Sequence, residues 1–252
     1  AGTSHELGQN FSKAFEIQYS DENNNLAHPF QTSWGVSTRL IGMIIMAHGD
    51  DQGLKLPPAI APTQVVIIPI IPKNADSEKI LKLANQIKER LSDLRVHLDD
   101  REEVSPGFKF NEWELKGVPI RLELGPKDIE NNSVVVARRD IENSKTSIPI
   151  NTLDTEITSL LDTIQNEMLK VSEQFLTDNT SHAESMDELL KQLQDSDGFV
   201  SCYWSESKED ELHVKEQTKA TIRCYPLEHT SELFSVNKPE IQGKFAIFSK
   251  SY

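Results

Sequence analysis

The chain has 252 residues, with 26 basic and 40 acidic side chains and a formal net charge of −14. This length suggests one large or two small domains. A hydrophobic content of 37%, with 11 Gly and 12 Pro, excludes collagen-like and low-complexity chains. No apolar run approaches the roughly 20 residues that cross a bilayer, so we expect no membrane contact. Two cysteines cannot build a disulfide framework, which favours a reducing, cytoplasmic setting.

The negative net charge bears on nucleic-acid binding, because it repels phosphate groups. Any contact with a nucleic acid must come from local basic clusters, and the sequence offers one in Arg138, Arg139 and Lys145. Net charge alone neither indicates nor excludes such a partner.

The first fifty residues predict two strands and a helix. Apolar and polar residues alternate over residues 11–19, as in a strand, and an Asn-rich loop at 21–25 leads to a second strand at 30–36. The apolar spacing over residues 40–47 predicts a buried helix that ends at Gly49 and is followed by a turn.

The middle of the chain predicts an α/β domain with a mixed sheet. The run TQVVIIPI at 63–70 is rich in β-branched residues, which is typical of a strand buried on both faces. A helix over 77–94 and a strand at 95–98 follow, and this order implies that the two strands are parallel. Beyond them the sequence predicts a helix between Ser105 and Gly117, then strands at 118–125 and 133–140 joined by a turn.

The last third predicts a separate, acidic unit. It begins with an amphipathic helix from Leu153 to about Phe175, on which apolar residues recur at helical spacing. Short strands are predicted at 199–204, 221–225 and 245–248.

One short segment carries residues suited to a nucleotide. WGVSTR, from Trp34 to Arg39, places a glycine, two hydroxyls and an arginine where a strand turns into a helix. Free amides at a helix start and a guanidinium both favour phosphate. A capped, buried helix with a structural arginine fits the same spacing, so the segment alone leaves both interpretations open.

Longer stretches of sequence add a family resemblance. They are TSHELGQNFSKAFEI, then TSWGVSTRLIGMIIMAHGDDQGLKLPPAIAPTQVVIIPI, NEWELKGVPIRLELGPKDI, RRD and the terminal FSKSY. Together they closely resemble the C-terminal half of a prolyl-tRNA synthetase of the eukaryote and archaeal type. The resemblance covers essentially the whole chain, densely over residues 1–140 and thinly over 150–240.

The resemblance implies three domains that combine α/β and α+β folds. Residues 1–58 look like the end of the antiparallel-sheet catalytic domain of a class II synthetase, with SWGVSTR as its third class-defining motif. Residues 59–150 look like an α/β anticodon-binding domain with a mixed sheet. Residues 151–252 look like a small α+β C-terminal domain.

The resemblance also implies roles for residues of the first segment. The matching positions bind ATP at Thr3, Ser37 and Arg39, and line the proline pocket at His5, Ser33, Trp34 and Gly35. An arginine suits ATP because its fork pairs with phosphates and its plane stacks on adenine. Taken as residues alone, His5 also fits a capping or core histidine, and Trp34 an ordinary core residue.

The same resemblance places anticodon contacts in the middle domain. Glu114 and Arg121 match positions that read the two guanines of the proline anticodon, and Lys145 matches a third contact. The chemistry is suitable, because a carboxylate accepts from guanine N1 and N2 while arginine donates to O6 and N7. A solvated surface lysine is an equally good interpretation of Lys145.

The sequence predicts no protein metal ligand. Many relatives hold zinc with four cysteines, but this chain has only Cys202 and Cys224. A substitute set would need His213 and His229 at unrecognised spacings, so we expect no structural zinc and two buried, reduced cysteines. Mg²⁺ is expected to arrive with ATP as substrate. The pair Asp50 and Asp51 therefore predicts a helix end in contact with solvent rather than a magnesium site.

The resemblance implies a proline-tRNA ligase. Proline and ATP would give prolyl adenylate and pyrophosphate, and the prolyl group would pass to tRNA(Pro), through positioning and charge stabilisation without a protein nucleophile or base. The family suggests a homodimer. Because the first two class motifs are absent from this sequence, we expect the isolated chain to be inactive. The alternatives are a noncatalytic anticodon-binding module and a generic nucleotide-binding α/β protein.

Overall fold

The computed structural model describes residues 2–226 and 243–250. The chain forms two compact units, the first ending at Asn166 and the second beginning at Glu167. Across the described residues, no helix has both the length and the apolar character that crossing a membrane requires.

The chain opens with an antiparallel ribbon. Strand β1 (Gly2–Gly8) pairs with β4 (Gln31–Val36), and the segment between them carries helix α1 (Asn10–Ala14) and the short hairpin of β2 (Tyr19–Ser20) and β3 (Leu26–Ala27). The second predicted strand is confirmed as β4, and the Asn-rich loop is the turn between β2 and β3.

The strand predicted at residues 11–19 is wrong. The alternation also places Phe11 and Phe15 four residues apart, and the ring of Phe11 in α1 stacks on that of Phe15 just after the helix, with centroids 6.4 Å apart. The buried hydroxyl of Ser12 donates to the carbonyls of Gln9 and Pro29 and ties the helix to the segment before β4.

Helix α2 (Arg39–His48) follows the ribbon and confirms the predicted helix. The prediction that it is buried is wrong, because all its residues are exposed except His48, which is half-buried. Ile41, Ile45 and Met46 each expose more than half of their surface. No segment within the described part of the chain covers this apolar helix, which its pattern alone could not reveal.

The predicted turn after the helix is a tight hairpin of β5 (Gly49–Asp50) and β6 (Gly53–Leu54). A mixed sheet follows, which confirms the predicted architecture, and its strand order is β11-β10-β9-β7-β8. Its strands are β7 (Val65–Pro69), β8 (Val96–Leu98), β9 (Ile120–Leu124), β10 (Ser133–Arg138) and β11 (Lys145–Pro149).

Strand β7 lies inside this sheet, between β9 and the edge strand β8. It runs parallel to β8 and β9, while β10 is antiparallel to both β9 and β11. All five residues of β7 are buried, as its β-branched run predicts. The sequence analysis did not predict β11, nor the short helix inside the turn before β10. The helices of this region are α3 (Ser77–Arg90), α4 (Pro106–Leu115), α5 (Pro126–Glu130) and the N-terminal part of α6 (Leu153–Asp178).

The second unit contains a sheet with the order β12-β13-β15-β14. The predicted strands at 199–204, 221–225 and 245–248 are confirmed as β13, β14 and β15. Leu193, Val200, Val214 and Phe248 are among its fully buried core residues. Its elements are β12 (Thr180–Ala183), α7 (Met186–Asp195), β13 (Phe199–Trp204), α8 (Lys208–Thr218), β14 (Ala220–Cys224) and β15 (Lys244–Lys250).

A buried carboxylate attaches α4 to the edge of the first unit's sheet. Asp99, which follows β8, accepts hydrogen bonds from Trp113 Nε1 at 2.8 Å and from Arg101 Nε and Nη2 at 2.8 and 2.7 Å. Lys109 Nζ donates to its backbone carbonyl at 2.9 Å. Burial alone raises the pKa of Asp99, but the Arg101 and Trp113 hydrogen bonds outweigh it and hold the pKa below its usual range.

The hairpin packs closely against the end of α4, and two glycines permit this approach. Gly53 has φ +126°, and a Cβ there would lie 2.5 Å from Leu115 Cα. Gly117 has φ +72°, and a Cβ there would lie 2.6 Å from Leu54 Cβ. Both positions combine a backbone conformation that favours glycine with a contact that excludes a side chain.

We expect Asp99→Asn to lower the free energy of unfolding at pH 7 by roughly 1–3 kcal/mol, because an amide cannot accept from all the donors around it. A depressed folded pKa contributes stability above the usual carboxyl pKa that is lost as pH falls through the folded value. Urea unfolding of the wild type should therefore show stability falling below about pH 4, and Asp99→Asn should show a shallower fall. The exposed Asp93→Asn serves as control, and an equal slope in both variants would contradict the assignment.

We expect Gly53→Ala to destabilise the first unit by about 1–3 kcal/mol, because alanine is strained at this φ and its Cβ meets backbone atoms. Gly107→Ala, where a Cβ meets nothing within 4 Å, should stay within about 1 kcal/mol of the wild type. Denaturant unfolding followed by circular dichroism measures both, and equal effects would show that the close contact is not needed.

Candidate nucleic-acid and nucleotide sites

An open cleft of about 660 Å³ lies in the first unit. The β5–β6 hairpin, α4, β9 and the segment leading into β11 form its walls. Its lining is mostly polar and includes Gln52, Asn111, Glu114, Arg121, Asn143, Ser144 and Lys145. The structure therefore brings the three residues predicted to contact the anticodon into one cleft.

Glu114 and Arg121 lie side by side in this cleft. Glu114 is close to the end of α4, and Arg121 is on β9. Arg121 Nη1 donates to Glu114 Oε1 at 2.7 Å, and the guanidinium carbon lies over the Phe110 ring, 4.4 Å from its centroid. The side chain of Glu114 is 35% exposed and that of Arg121 only 11%. Glu114 is therefore the more accessible of the two to a ligand.

Glu123 links the two cations of the cleft. Its Oε1 accepts from Arg121 Nε at 3.1 Å, and its Oε2 accepts from Lys145 Nζ at 2.8 Å. Its side chain is 7% exposed, whereas half of the Lys145 side chain is exposed. The sequence analysis missed Glu123. Its signal is a carboxylate two residues from Arg121 on a strand whose other residues are apolar, since such residues share one face.

The predicted basic cluster is largely neutralised. Arg138 pairs with Asp140 through bonds of 3.0 and 2.6 Å, and Arg139 is buried against Asp50. Lys145 pairs with Glu123 and still keeps an exposed ammonium. The cleft consequently offers paired donors and acceptors of fixed geometry, an arrangement suited to the edges of unpaired bases rather than to a run of phosphates.

The residues predicted to contact ATP and proline lie on the ribbon and at the start of α2. Thr3 is directly opposite Gly35, and His5 is opposite Ser33. Side chains of directly opposed residues share a face, so Thr3, His5 and Ser33 lie on one face of the ribbon. Trp34 lies on the other face and is 79% exposed. Arg39 is the first residue of α2, two residues after Ser37.

The described part of the chain does not enclose a pocket around these residues. Nearly all the positions of β1 and β4 are exposed. The ribbon and the start of α2 therefore present hydroxyl groups and a guanidinium on an open surface.

Four residues were considered for metal binding, and three of them lie in the part of the chain that the structure describes. Within residues 2–226 and 243–250, no group of three or more His, Cys, Asp or Glu side chains is arranged to hold a metal ion. Cys202 is buried and its burial raises the pKa of the thiol to about 11. Cys224 is exposed, so the prediction that both cysteines are buried is wrong for it. His213 is exposed on α8, and His229 lies outside the described residues.

Asp50 and Asp51 are exposed just after α2, which confirms the predicted helix end in contact with solvent, but Asp50 also has partners within the protein. It accepts from Arg139 Nη2 at 2.6 Å and pairs with Lys55 Nζ at 3.1 Å. The hydrogen bond from Arg139 is the main cause of a pKa held well below the usual carboxyl range. The helix end is thus in contact with solvent and is also tied to Arg139 and Lys55.

Comparison with protein families gives two matches. A model of the anticodon binding domain matches residues 64–160, and a model described as prolyl-tRNA synthetase, C-terminal, matches residues 186–252. The first match covers the cleft with Glu114, Arg121 and Lys145.

Curated relatives and a solved structure agree with these matches. The chain is 48% identical to a proline-tRNA ligase of Roseiflexus sp. (strain RS-1), over 92% of this chain and 48% of the relative. It is 47% identical to a chloroplastic/mitochondrial proline-tRNA ligase of Arabidopsis thaliana, over 100% of this chain and 48% of the relative. The prolyl-tRNA synthetase of Cryptosporidium parvum, solved with L-proline and AMP, superposes with a TM-score of 0.84 at 39% identity, covering 100% of this chain and 54% of that one.

The chain thus spans about half the length of the proteins that it matches. The two family models match residues 64–160 and 186–252, and the similarity of sequence and of fold extends through the ribbon and α2 as well. The expected resemblance is confirmed. This chain belongs to the prolyl-tRNA synthetase family and corresponds to its C-terminal portion.

Proposed function

We propose that this chain provides the anticodon-reading part and one side of the ATP and proline site of a proline-tRNA ligase. The observation that carries the proposal is the cleft, in which the two matching residues, Glu114 and Arg121, lie 2.7 Å apart within a domain that matches the anticodon-binding family. The similarity to proline-tRNA ligases across 92% of the chain supports the choice of amino acid and tRNA.

The proposed reaction has two steps. The carboxylate of proline attacks the α-phosphate of ATP to form prolyl adenylate and release pyrophosphate, and a terminal ribose hydroxyl of tRNA(Pro) then attacks the activated carbonyl and releases AMP. No nucleophile or base from this chain takes part. Its contribution is to bind and orient the substrates, which lowers the barrier by fixing the reacting groups in place.

We assign the nucleotide and amino-acid contacts to the residues predicted from the sequence. Thr3, Ser37 and the guanidinium of Arg39 would contact ATP, and Mg²⁺ would accompany the ATP phosphates. His5, Ser33, Trp34 and Gly35 would line one side of the proline site. The C. parvum synthetase, whose structure contains L-proline and AMP, supports the pairing of these two ligands.

The uncovered face of α2 supports a site completed by further protein. An apolar helix with no buried residue is unusual in a free surface, and the relatives are about twice as long as this chain. We propose that the upstream half of such a relative covers α2 and supplies the opposite side of the site.

We expect the 252-residue chain alone to show no proline-dependent exchange of pyrophosphate into ATP. Exchange should appear when the upstream half is produced together with it, with alanine and cysteine as substrate controls. In that combined enzyme Arg39→Gln should reduce exchange by at least about 100-fold, because a donor to the phosphates is lost. Lys13→Gln, an exposed change on α1, should leave exchange unaffected.

This measurement also separates the synthetase from the noncatalytic alternative. A tRNA-binding module would bind the anticodon stem-loop but show no exchange with proline in any combination of the two halves. The cleft in the first unit supports this alternative as well, because binding of an anticodon there needs no catalytic site.

The proposed readout of the anticodon can be tested with altered bases. Inosine lacks the guanine 2-amino group to which a carboxylate would bind. Replacing each anticodon guanine in turn by inosine should weaken stem-loop binding to the wild type by about 1–3 kcal/mol at one position. In Glu114→Gln the same replacement should cost much less, because the carboxylate that accepts from that group is gone.

Two comparisons make this test specific. Glu142→Gln, an exposed carboxylate change at the cleft, should keep the full wild-type response to inosine. Arg121→Ala should weaken binding and respond instead to 7-deazaguanine, which lacks the N7 acceptor. An identical inosine response in Glu114→Gln and the wild type would overturn the assignment of Glu114.

Three broader features complete the proposal. We propose a homodimer, to be checked by sedimentation of the combined enzyme. We also propose a division into domains at residues 1–58, 59–150 and 151–252, which the family matches over 64–160 and 186–252 support.

We also propose a cytoplasmic location. The Arabidopsis relative is named chloroplastic/mitochondrial, so imaging of the tagged protein in its own cells is the appropriate check.

A further inference from the structure

One arginine joins three elements of the first unit. Arg139, which directly follows β10, donates from Nη1 and Nη2 to the two carboxylate oxygens of Asp50 at 3.1 and 2.6 Å. Its Nε donates to the backbone carbonyl of Glu114 at 3.2 Å. Residues 139 and 50 are 89 positions apart in sequence. The guanidinium therefore binds the β5–β6 hairpin, the end of α4 and the end of β10 at the same time.

The geometry of this contact is that of a strong ion pair. The two parallel bonds fit the planar fork of an arginine to a carboxylate. The Arg139 side chain is 6% exposed and Asp50 29%, so bulk solvent screens the pair only partly. The hydrogen bond from Arg139 keeps the pKa of Asp50 below its usual range, and the carboxylate is therefore charged at neutral pH.

The same junction is fixed by backbone packing. Gly53 and Gly117 allow the hairpin and the segment after α4 to approach without side chains between them. The amide of Leu56 donates to the carbonyl of Gly117 at 3.2 Å. The hairpin is thus held by close backbone packing at the two glycines, one backbone hydrogen bond just after it and one bidentate ion pair.

The position of this junction in the chain gives it its importance. The hairpin directly follows α2, whose first residue is Arg39, and it lies against α4, which carries Glu114. Helix α2 has ten residues and is about 15 Å long. A rotation of about 10° at the hairpin would displace its far end by roughly 3 Å.

On the basis of the proposed function, we propose that Arg139 and Asp50 form an interdomain clamp that fixes the anticodon cleft relative to α2, so that one tRNA engages the cleft and the aminoacylation site simultaneously. A ligand that binds at two places gains affinity only when both places have the correct separation and orientation. Arg139 and Asp50 act as positioning residues, because the guanidinium and the carboxylate bind each other through two hydrogen bonds.

The test compares three measurements on the intact enzyme that contains the upstream half. These are proline-dependent pyrophosphate exchange without tRNA, the affinity for the isolated anticodon stem-loop, and the KM for whole tRNA(Pro) in aminoacylation. The variants are Arg139→Gln and Asp50→Asn. Arg139→Lys keeps the charge without the fork and serves as a milder change.

A matched control is available in the same unit. Arg90 binds the carboxylate of Asp154 through Nε and Nη2 and the carbonyl of Ile150 through Nη1. It thus also joins a carboxylate and a backbone carbonyl, but its partners lie outside the hairpin and the cleft. Arg90→Gln removes a bidentate arginine contact without touching the clamp, although the Arg90 side chain is more exposed, at 34% against 6% for Arg139.

Because Arg139 and Asp50 also line the cleft, the stem-loop affinity is the reference for each variant. We expect Arg139→Gln and Asp50→Asn each to raise the KM for whole tRNA by about 10-fold or more beyond any loss of stem-loop affinity, with exchange within about threefold of the wild type. The double variant should be no worse than the singles, because the pair acts as one unit. The KM of Arg139→Lys for whole tRNA should lie between those of the wild type and Arg139→Gln. Arg90→Gln should match the wild type in all three measurements.

Several outcomes would overturn the clamp. One is an unchanged KM for whole tRNA in both variants. Another is a loss of stem-loop affinity as large as the loss for whole tRNA, which would make Arg139 part of the cleft alone. A third is a parallel loss of exchange, which would place the defect in α2 itself. Absence of pyrophosphate exchange in the unmutated enzyme would contradict the proposed function rather than the clamp. Exchange in that enzyme is therefore measured before the variants are compared.

A measurement on the 252-residue chain keeps the clamp testable even in that case. Amide hydrogen exchange at residues 49–55 should increase at least several-fold in Arg139→Gln and not in Arg90→Gln. Equal protection in both variants would show that Arg139 does not hold the hairpin, and would overturn the clamp independently of any enzymatic activity.

Discussion

Strand β7 is completely buried, and its need for cover on both faces organises the first unit. A parallel strand of this kind requires helices or loops on each side of the sheet. The two strands that pair with β7, β8 and β9, then carry or lead into the polar residues that form the cleft and attach α4. Strand β9 brings Arg121 and Glu123 to the cleft, and β8 leads into Asp99, which attaches α4. Because α4 carries Glu114, the geometry of the cleft depends on the packing of an apolar strand that contributes no polar side chain of its own.

The charges of the cleft follow from the same arrangement. In a protein of net charge −14, affinity for an RNA cannot rest on a broad positive surface. The cations of the cleft are instead each matched to a carboxylate, as in the chain Glu114, Arg121, Glu123 and Lys145. Such a network supplies oriented hydrogen-bond donors and acceptors rather than a strong net attraction for a phosphate backbone. It favours recognition of base edges, which need correctly oriented donors and acceptors, over phosphate contacts that need only charge.

Much of the architecture was predictable where the local signal and the final environment agree. Strand β7 combines β-branched residues with complete burial, and α4 has a capping serine, Ser105, whose hydroxyl accepts from Phe108 N. The strand predicted at 11–19 failed because Phe11 and Phe15 satisfy a helical spacing as well as an alternating one. The prediction that α2 is buried was wrong because periodicity indicates that a helix has an apolar face but not which segment covers that face.

The candidate site shows a similar limit. The resemblance assigned roles to Glu114, Arg121 and Arg39, and these roles stay predictions, but it gave no indication of the partners that the cleft residues have. Glu123 and Asp50 become meaningful only when strand pairing and a hairpin bring them to Lys145 and Arg139. Contacts between residues 22 or 89 positions apart leave no trace in local sequence, because nothing about their spacing along the chain is regular.

The exposed apolar surface of α2 also has a consequence for synthesis on the ribosome. Translation proceeds from the N-terminus, so in the proposed intact enzyme the covering half would already be made when residues 39–48 emerge. The helix would then dock onto a waiting surface. If the chain were translated without that half, the nascent helix would meet only solvent, chaperones and other copies of itself, and Ile41, Ile45 and Met46 would become points of aggregation.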